Sequence, residues 1–147
     1  MSITAASDES IIKALRSKSF KATPQRIAIC RFALNNREHP RIQRIFDEVK
    51  KVHPTVSLAT VYKTLKILKE LCLIKELNFQ NGPTRYDSYM EPHINLVCRR
   101  CGNVSDVEDR EARERIMKVT EMARFRVVDP RLDIYGICEK CCSMAKP

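Results

Sequence analysis

From His93 to Cys101 the chain reads HINLVCRRC, and from Cys138 to Cys141 it reads CEKC. Each cysteine pair leaves two residues between its thiols, the spacing of a knuckle in which both sulfurs face one ion. The pairs stand 36 residues apart, so Cys98, Cys101, Cys138 and Cys141 can complete one tetrahedral zinc site with four thiolate ligands. Closure of that kind supplies folding free energy on the order of 10 kcal/mol in small zinc peptides. The competing chemistry is dithiol exchange, because C-x-x-C also marks redox proteins. Those proteins set one pair at the start of a helix, whereas both pairs here follow strand-like runs, Leu96-Val97 and Tyr135-Gly136-Ile137. A zinc deaminase is excluded, since its H-x-E needs a carboxylate where this chain has His93-Ile94-Asn95. Cys142 is a spare ligand or idle. Cys30 and Cys72 lie in helix-like segments where a small buried apolar role is expected.

The other donors in the first stretch serve a different place. Residues 93 and 95 of a strand face one side and residue 98 the other, so His93 and Asn95 turn away from the thiol. His39 precedes the third helix-like segment, Asp87 follows a hairpin signal and Asp106 lies in the next strand-like run. Two imidazoles, two carboxylates and an amide oxygen suit iron(II) or manganese(II), which accept mixed nitrogen and oxygen ligands. On spacing alone a histidine is more often a core or surface residue, and both readings stand at this point.

The elements that must position these residues fall into two compositional halves. Of 147 residues 44% are hydrophobic, enough for a core in one ordinary domain or two small ones. No apolar run approaches the roughly 20 residues that span a bilayer, and Met1 to Ser10 lacks a secretory pattern. A cytoplasmic location is expected, and its reducing pool argues against reading the seven cysteines as disulfides. Residues 1–85 carry 16 Lys and Arg against 7 Asp and Glu, a charge of +9, while residues 86–147 carry 11 against 11. A basic first half points to a polyanion. Three helical patterns, Ser10 to Phe20, one opened by Thr23-Pro24, and one bearing Ile42, Ile45, Phe46 and Val49, precede a fourth. Ser57 caps that fourth helix, whose stripe is Leu58, Val61, Leu65 and Leu68. Two short strands follow, LIKELNF and TRYDSY, around Asn81-Gly82-Pro83.

This order predicts a winged-helix DNA-binding domain over residues 1–85, with the fourth helix in the major groove. Ser57, Thr60, Tyr62, Lys63 and Lys66 would meet DNA there, and Arg85 would meet it from the hairpin. A protein-docking role is the rival for the same fold. Residues 86–92 read as a hinge containing Glu91-Pro92. Residues 93–147 read as a small α/β dimerisation and metal-binding domain, with HINLV, NVSDV, FRVV and LDIYGI as strands of an antiparallel sheet. Between the second and third runs lies a charged helix with Ile116, Val119 and Met122 on one face. The whole is an α+β chain. A core of that size needs a metal or a second chain.

Thr23 to Arg26 (TPQR), SLATVYKTLKIL from Ser57, RYD from Arg85, CRRCG from Cys98 and RLDIYGICEKC from Arg131 together resemble the ferric uptake regulator family over nearly the whole chain. Within that family the chain resembles most the peroxide-sensing branch. The resemblance implies a homodimeric transcriptional repressor, not an enzyme or a membrane protein, that binds double-stranded DNA at an AT-rich inverted repeat. It implies structural zinc on the four cysteines and regulatory iron or manganese on three histidines and two aspartates. His39, Asp87, His93 and Asp106 match four of those five, and Asn95 stands where the family has its third histidine, which implies weaker metal retention. Aspartate at 106, where iron-responsive relatives carry glutamate, accompanies peroxide sensing. In that branch peroxide oxidises a ligand histidine, metal is lost and the operator is released. The alternatives are an iron- or zinc-responsive regulator of the same family, and a thiol redox protein using Cys98 and Cys101.

Overall fold

A computed structural model describes residues 5–80 and 82–144; Asn81, part of the expected turn, lies outside the described residues. The chain divides into two compact units, Met1–Met90 and Glu91–Pro147. In the first, α1 (Asp8–Ser17), α2 (Pro24–Asn35), α3 (Ile42–Val52) and α4 (Leu58–Glu70) precede a hairpin of β1 (Lys75–Leu77) and β2 (Arg85–Asp87). Three of these helices start on side-chain caps: Ser7 accepts from Ser10 N–H, Thr23 from Arg26 N–H and Ser57 from Thr60 N–H. Each bond satisfies one of the amide groups that a helix start leaves over.

Helix α2 is central, touching α1, α3, α4 and β2, with Ile29, Cys30 and Ala33 buried and Arg31 and Asn35 at the surface. Its Ile29 and Cys30 pack with Leu15, Ile45, Val61, Leu65 and Leu68 in one core, which Tyr86 of the hairpin joins. The α4 stripe begins at Val61, because Leu58 is the first residue of the helix and stays exposed. Thr64 takes a buried place on that stripe by donating its hydroxyl to the Thr60 carbonyl. Cys72 is exposed, not buried as its helical surroundings suggest. It follows α4 with φ of 55°, its N–H donating to Lys69 and that of Leu73 to Leu68, the bonds of a Schellman close usually made by glycine.

The second unit holds β3 (Ile94–Cys98), β4 (Val104–Val107), α5 (Arg110–Met122), β5 (Leu132–Gly136) and a short α6 (Glu139–Ser143). Its sheet runs β4-β3-β5, and β5 pairs with β3 in parallel rather than in the expected antiparallel sense. A parallel neighbour needs a crossover, and α5 is that crossover. The FRVV run forms no strand. Phe125 N–H closes α5 on the Thr120 carbonyl, and Phe125 and Val128 stand 67% and 89% exposed while the chain turns toward β5. Helix α6 has no counterpart in the sequence reading, since one turn beside a cysteine pair carries no apolar period.

Leu65 is 1% exposed at the centre of the first core. Leu65→Ala should lower the unfolding free energy by about 2–5 kcal/mol, read as a lower urea midpoint with Lys63→Ala as the surface control.

Candidate metal centres

The turn joining β3 to β4 is itself the first knuckle. Gly102, at φ of 71°, donates its N–H to the Cys98 carbonyl, and Cys98 N–H bonds the Asn103 carbonyl, so the chain reverses tightly around the two thiols. The second knuckle straddles the start of α6: Cys138 precedes the helix, and Cys142 N–H bonds the Cys138 carbonyl. Arg99 N–H reaches Gly136 O and Arg100 Nη1 reaches Cys141 O, tying one knuckle to the other.

The four sulfurs lie within 4.8 Å of one another. Cys101 Sγ and Cys138 Sγ are 3.7 Å apart, close to the ~3.8 Å edge of a tetrahedron with zinc–sulfur bonds of about 2.3 Å. Cys98 accepts N–H bonds from the backbone of Cys101 and of Cys138, which draw its thiol down to about 6. Burial and the neighbouring thiols push Cys141 up to about 12. Four sulfurs this close cannot all ionise unless a cation sits among them, because each thiolate opposes the next. The donor set therefore fits zinc. Cys142 is exposed with its thiol against the Ile137 carbonyl, outside the four-sulfur cluster.

The remaining candidate ligands form a pair in each unit. In the first unit His39 Nε2 is 3.8 Å from Asp87 Oδ1, both side chains 1% exposed. His39 holds a left-handed backbone, φ of 51°, a conformation that costs of order 1–3 kcal/mol in a residue with a Cβ. Arg85 Nη1 donates to the His39 carbonyl at 3.0 Å, Tyr86 N–H donates to the Pro40 carbonyl, and Arg41 bridges to Arg85. Strand β2 thus carries Asp87 and clamps the loop that carries His39. Asp87 Oδ1 is fixed by Tyr89 N–H at 2.7 Å.

In the second unit His93 Nε2 lies 3.5 Å from Asp106 Oδ1. Its Nδ1 is 2.7 Å from the Glu91 carbonyl, which can only accept, so Nδ1 carries a proton and Nε2 is the nitrogen left to bind a metal. Asn95 pairs in register with Asp106 on one side and Asp133 on the other, placing all three on one face of the sheet. Asn95 is 2% exposed; its Nδ2 donates to Asp133 Oδ1 at 2.9 Å, and its Oδ1 is buried with no hydrogen-bond partner. Asp133 did not stand out in the sequence, where its place in LDIYGI reads as an ordinary strand position. The parallel β3–β5 register is what brings it to Asn95, and spacing carries no signal for that.

Of the residues expected to meet DNA, Tyr62 (53% exposed), Lys63 and Lys66 lie together on the outer side of α4. Ser57 and Thr60 bond one another through their hydroxyls at 2.9 Å at the helix start. Arg85 is half-buried and already engaged with His39.

Residues 17–135 match the sequence pattern of the ferric uptake regulator family. The peroxide-responsive repressor PerR of Staphylococcus aureus is 31% identical over 133 residues, 90% of each chain. The crystal structure of the Campylobacter jejuni peroxide stress regulator superposes with a TM-score of 0.72 at 36% identity, covering 89% of this chain and 98% of that one. The Helicobacter pylori ferric uptake regulator, described as having three functional metal-binding sites, superposes with a TM-score of 0.82 at 20% identity over 94% and 95% of the two chains, a likeness of fold.

Replacing one sulfur by oxygen weakens a soft four-thiolate site. Cys138→Ser should purify with well under one zinc per chain by atomic absorption, and its second unit should melt at a lower temperature than that of the parent protein.

Proposed function

The chain belongs to the ferric uptake regulator family, and we propose that within it the protein is a metal-dependent, peroxide-responsive transcriptional repressor of the cytoplasm. In this reading Cys98, Cys101, Cys138 and Cys141 hold structural zinc, and His39, Asp87, His93 and Asp106 share in holding a regulatory iron(II) or manganese(II) ion. The observation that carries the reading is the pairing of each buried imidazole with a carboxylate, His39 with Asp87 and His93 with Asp106. Two neutral imidazoles and two carboxylates balance a dication, and the donors fit an ion that accepts nitrogen and oxygen together. The likeness to peroxide regulators at 31% and 36% identity supports the same reading.

Iron(II), when bound, supplies the redox chemistry by which peroxide is activated beside its ligands. The protein's part is to hold imidazole carbon within reach of that reaction. One histidine gains one oxygen atom, a two-electron oxidation of the ring, and peroxide is reduced to water. An oxidised ring would be a poorer donor, so His39 and His93 would be the residues through which peroxide loosens the hold on the ion and, with it, DNA binding. Asp87 and Asp106 would hold the ion without offering a comparable target.

The DNA reading rests on residues 1–85, a winged-helix unit with nine positive charges in excess. Tyr62, Lys63 and Lys66 on α4 are placed to reach base edges and phosphates. Homodimerisation is supported by the second unit: α5 buries none of its residues, and Met117, Val119 and Met122 stand exposed with Leu96, Val107 and Ile134 on one face of the sheet. An apolar surface of that kind is what a second copy covers. Among the described residues no helix is long and apolar enough to cross a membrane.

Three outcomes test this. With the manganese-loaded protein and a duplex selected from random DNA, Tyr62→Ala should weaken specific binding about tenfold, and Lys63→Ala should lower the salt slope by about 1. Fluorescence anisotropy across a salt series reads both; parent-like affinity and slope in the two variants would remove α4 from the reading role. Peroxide treatment of the iron form should add one oxygen to the peptide holding His39 or His93, as seen by mass spectrometry. Unmodified peptides would leave an iron- or zinc-responsive regulator, identified by which metal restores DNA binding.

A further inference from the structure

The Asn95 side chain is held in a way that a spare surface amide would not be. A carboxylate only accepts hydrogen bonds, so the end of the amide that meets Asp133 Oδ1 at 2.9 Å must be Nδ2. The oxygen is therefore turned away from Asp133. Asp133 is itself fixed: Arg131 grips it with Nε on Oδ1 at 3.0 Å and Nη2 on Oδ2 at 2.7 Å. That fork holds Asp133 in place and offsets the charge that would otherwise draw it toward a cation itself.

Burial sharpens the point. Asn95 Oδ1 has no hydrogen-bond partner and the residue is 2% exposed, a placement that costs about 1–3 kcal/mol when nothing binds the oxygen. Asp106, directly opposite Asn95 on β4, has its Oδ1 3.5 Å from His93 Nε2. On one face of one sheet, then, stand a carboxylate oxygen, an imidazole nitrogen and an amide oxygen. Each is a ligand atom for a divalent ion, and a cation of that kind can take all three together.

We propose that Asn95 Oδ1 is the fifth donor to the regulatory ion, that Asp133 and Arg131 are the positioning residues that aim it, and that the resulting oxygen-rich set favours manganese(II) over softer divalent ions. The proposal rests on the regulatory-site reading above. Imidazole suits zinc, iron and nickel, whereas carboxylate and carbonyl oxygens suit manganese. An amide oxygen in place of a third imidazole changes the set from three nitrogens and two oxygens to two nitrogens and three oxygens. The charge is unchanged because both groups are neutral. Groups that orient a ligand typically govern metal affinity by about 10–100-fold, so the consequence of loosening Asp133 is measurable.

The test uses the full-length, zinc-containing protein titrated with manganese(II) and, separately, cobalt(II) against a chelating dye, with the electron paramagnetic resonance spectrum of bound manganese as the second readout. Asn95→Ala should weaken manganese binding about tenfold or more and change that spectrum. Asn95→His should shift the cobalt-to-manganese preference at least tenfold toward cobalt. Asp133→Ala should weaken manganese binding in the parent but add nothing once Asn95 is alanine, whereas a merely structural role would weaken both backgrounds alike. Asp133→Asn, which keeps an acceptor for the amide, should recover most of the loss. Zinc content near one per chain and a parent-like melt show that each variant is folded. Parent-like manganese affinity and spectrum in both Asn95→Ala and Asp133→Ala, with His93→Ala abolishing binding, would overturn this inference and leave the regulatory site standing. Undiminished manganese binding in His93→Ala would overturn that reading itself.

Discussion

Repulsion among four sulfurs held within 4.8 Å of one another is the constraint on which the second unit depends. Among its described residues the buried apolar side chains are Val97, Cys98, Val104 and Cys141, so half of that small core is made of the ligands themselves. Four such side chains cannot offset the backbone entropy of three strands and a crossover helix. A zinc ion that turns the repulsion into four bonds can, with binding energy of order 10 kcal/mol. The first unit has no such need. Its helices bury Leu15, Ile29, Ile45, Val61, Leu65 and Leu68 around α2, and it folds on apolar burial.

What was legible in the sequence follows the same division. Helices α2, α3 and α4 were readable because Thr23, Ser57 and the apolar stripe of α3 write their starts and faces locally. The knuckles were readable because two residues between thiols is a local geometric demand. The parallel placement of β5 was not, since strand order is set by where a crossover delivers the chain and leaves no mark on the strand. FRVV shows the converse failure: β-branched composition gives a strand only where a neighbour offers its edge. Cys72 shows another, because a left-handed helix close made by a cysteine lacks the glycine that would have announced it.

The candidate ligands were legible as residue types, and as a set only weakly. His39, Asp87, His93 and Asp106 are far apart in the chain; their donor types allowed a shared ion, and the resemblance to a family is what singled out the set. The structure adds the reasons each pair is rigid. His39 sits in a strained backbone held by Arg85, and Arg85 and Asp87 are alternate residues of the same three-residue strand. The side chain read first as a DNA contact is thus part of the scaffold of a candidate ligand. The Asp133 and Arg131 support of Asn95 lay outside sequence reasoning altogether, because it exists only across a strand pair.

The register of that strand pair gives the sulfur cluster a role beyond adhesion. Cys98 ends β3 opposite Gly136 of β5, two residues before Cys138. Counting three residues back along each strand from that match arrives at Asn95 and Asp133. The knuckles therefore act as the zero mark of a ruler whose third division is the amide and its carboxylate. A slip of one residue would carry Leu96 into the row of donors and Asn95 onto the apolar face. The sulfur cluster at one end of the strand pair thus shares the register that brings Asn95 to Asp133 at the other.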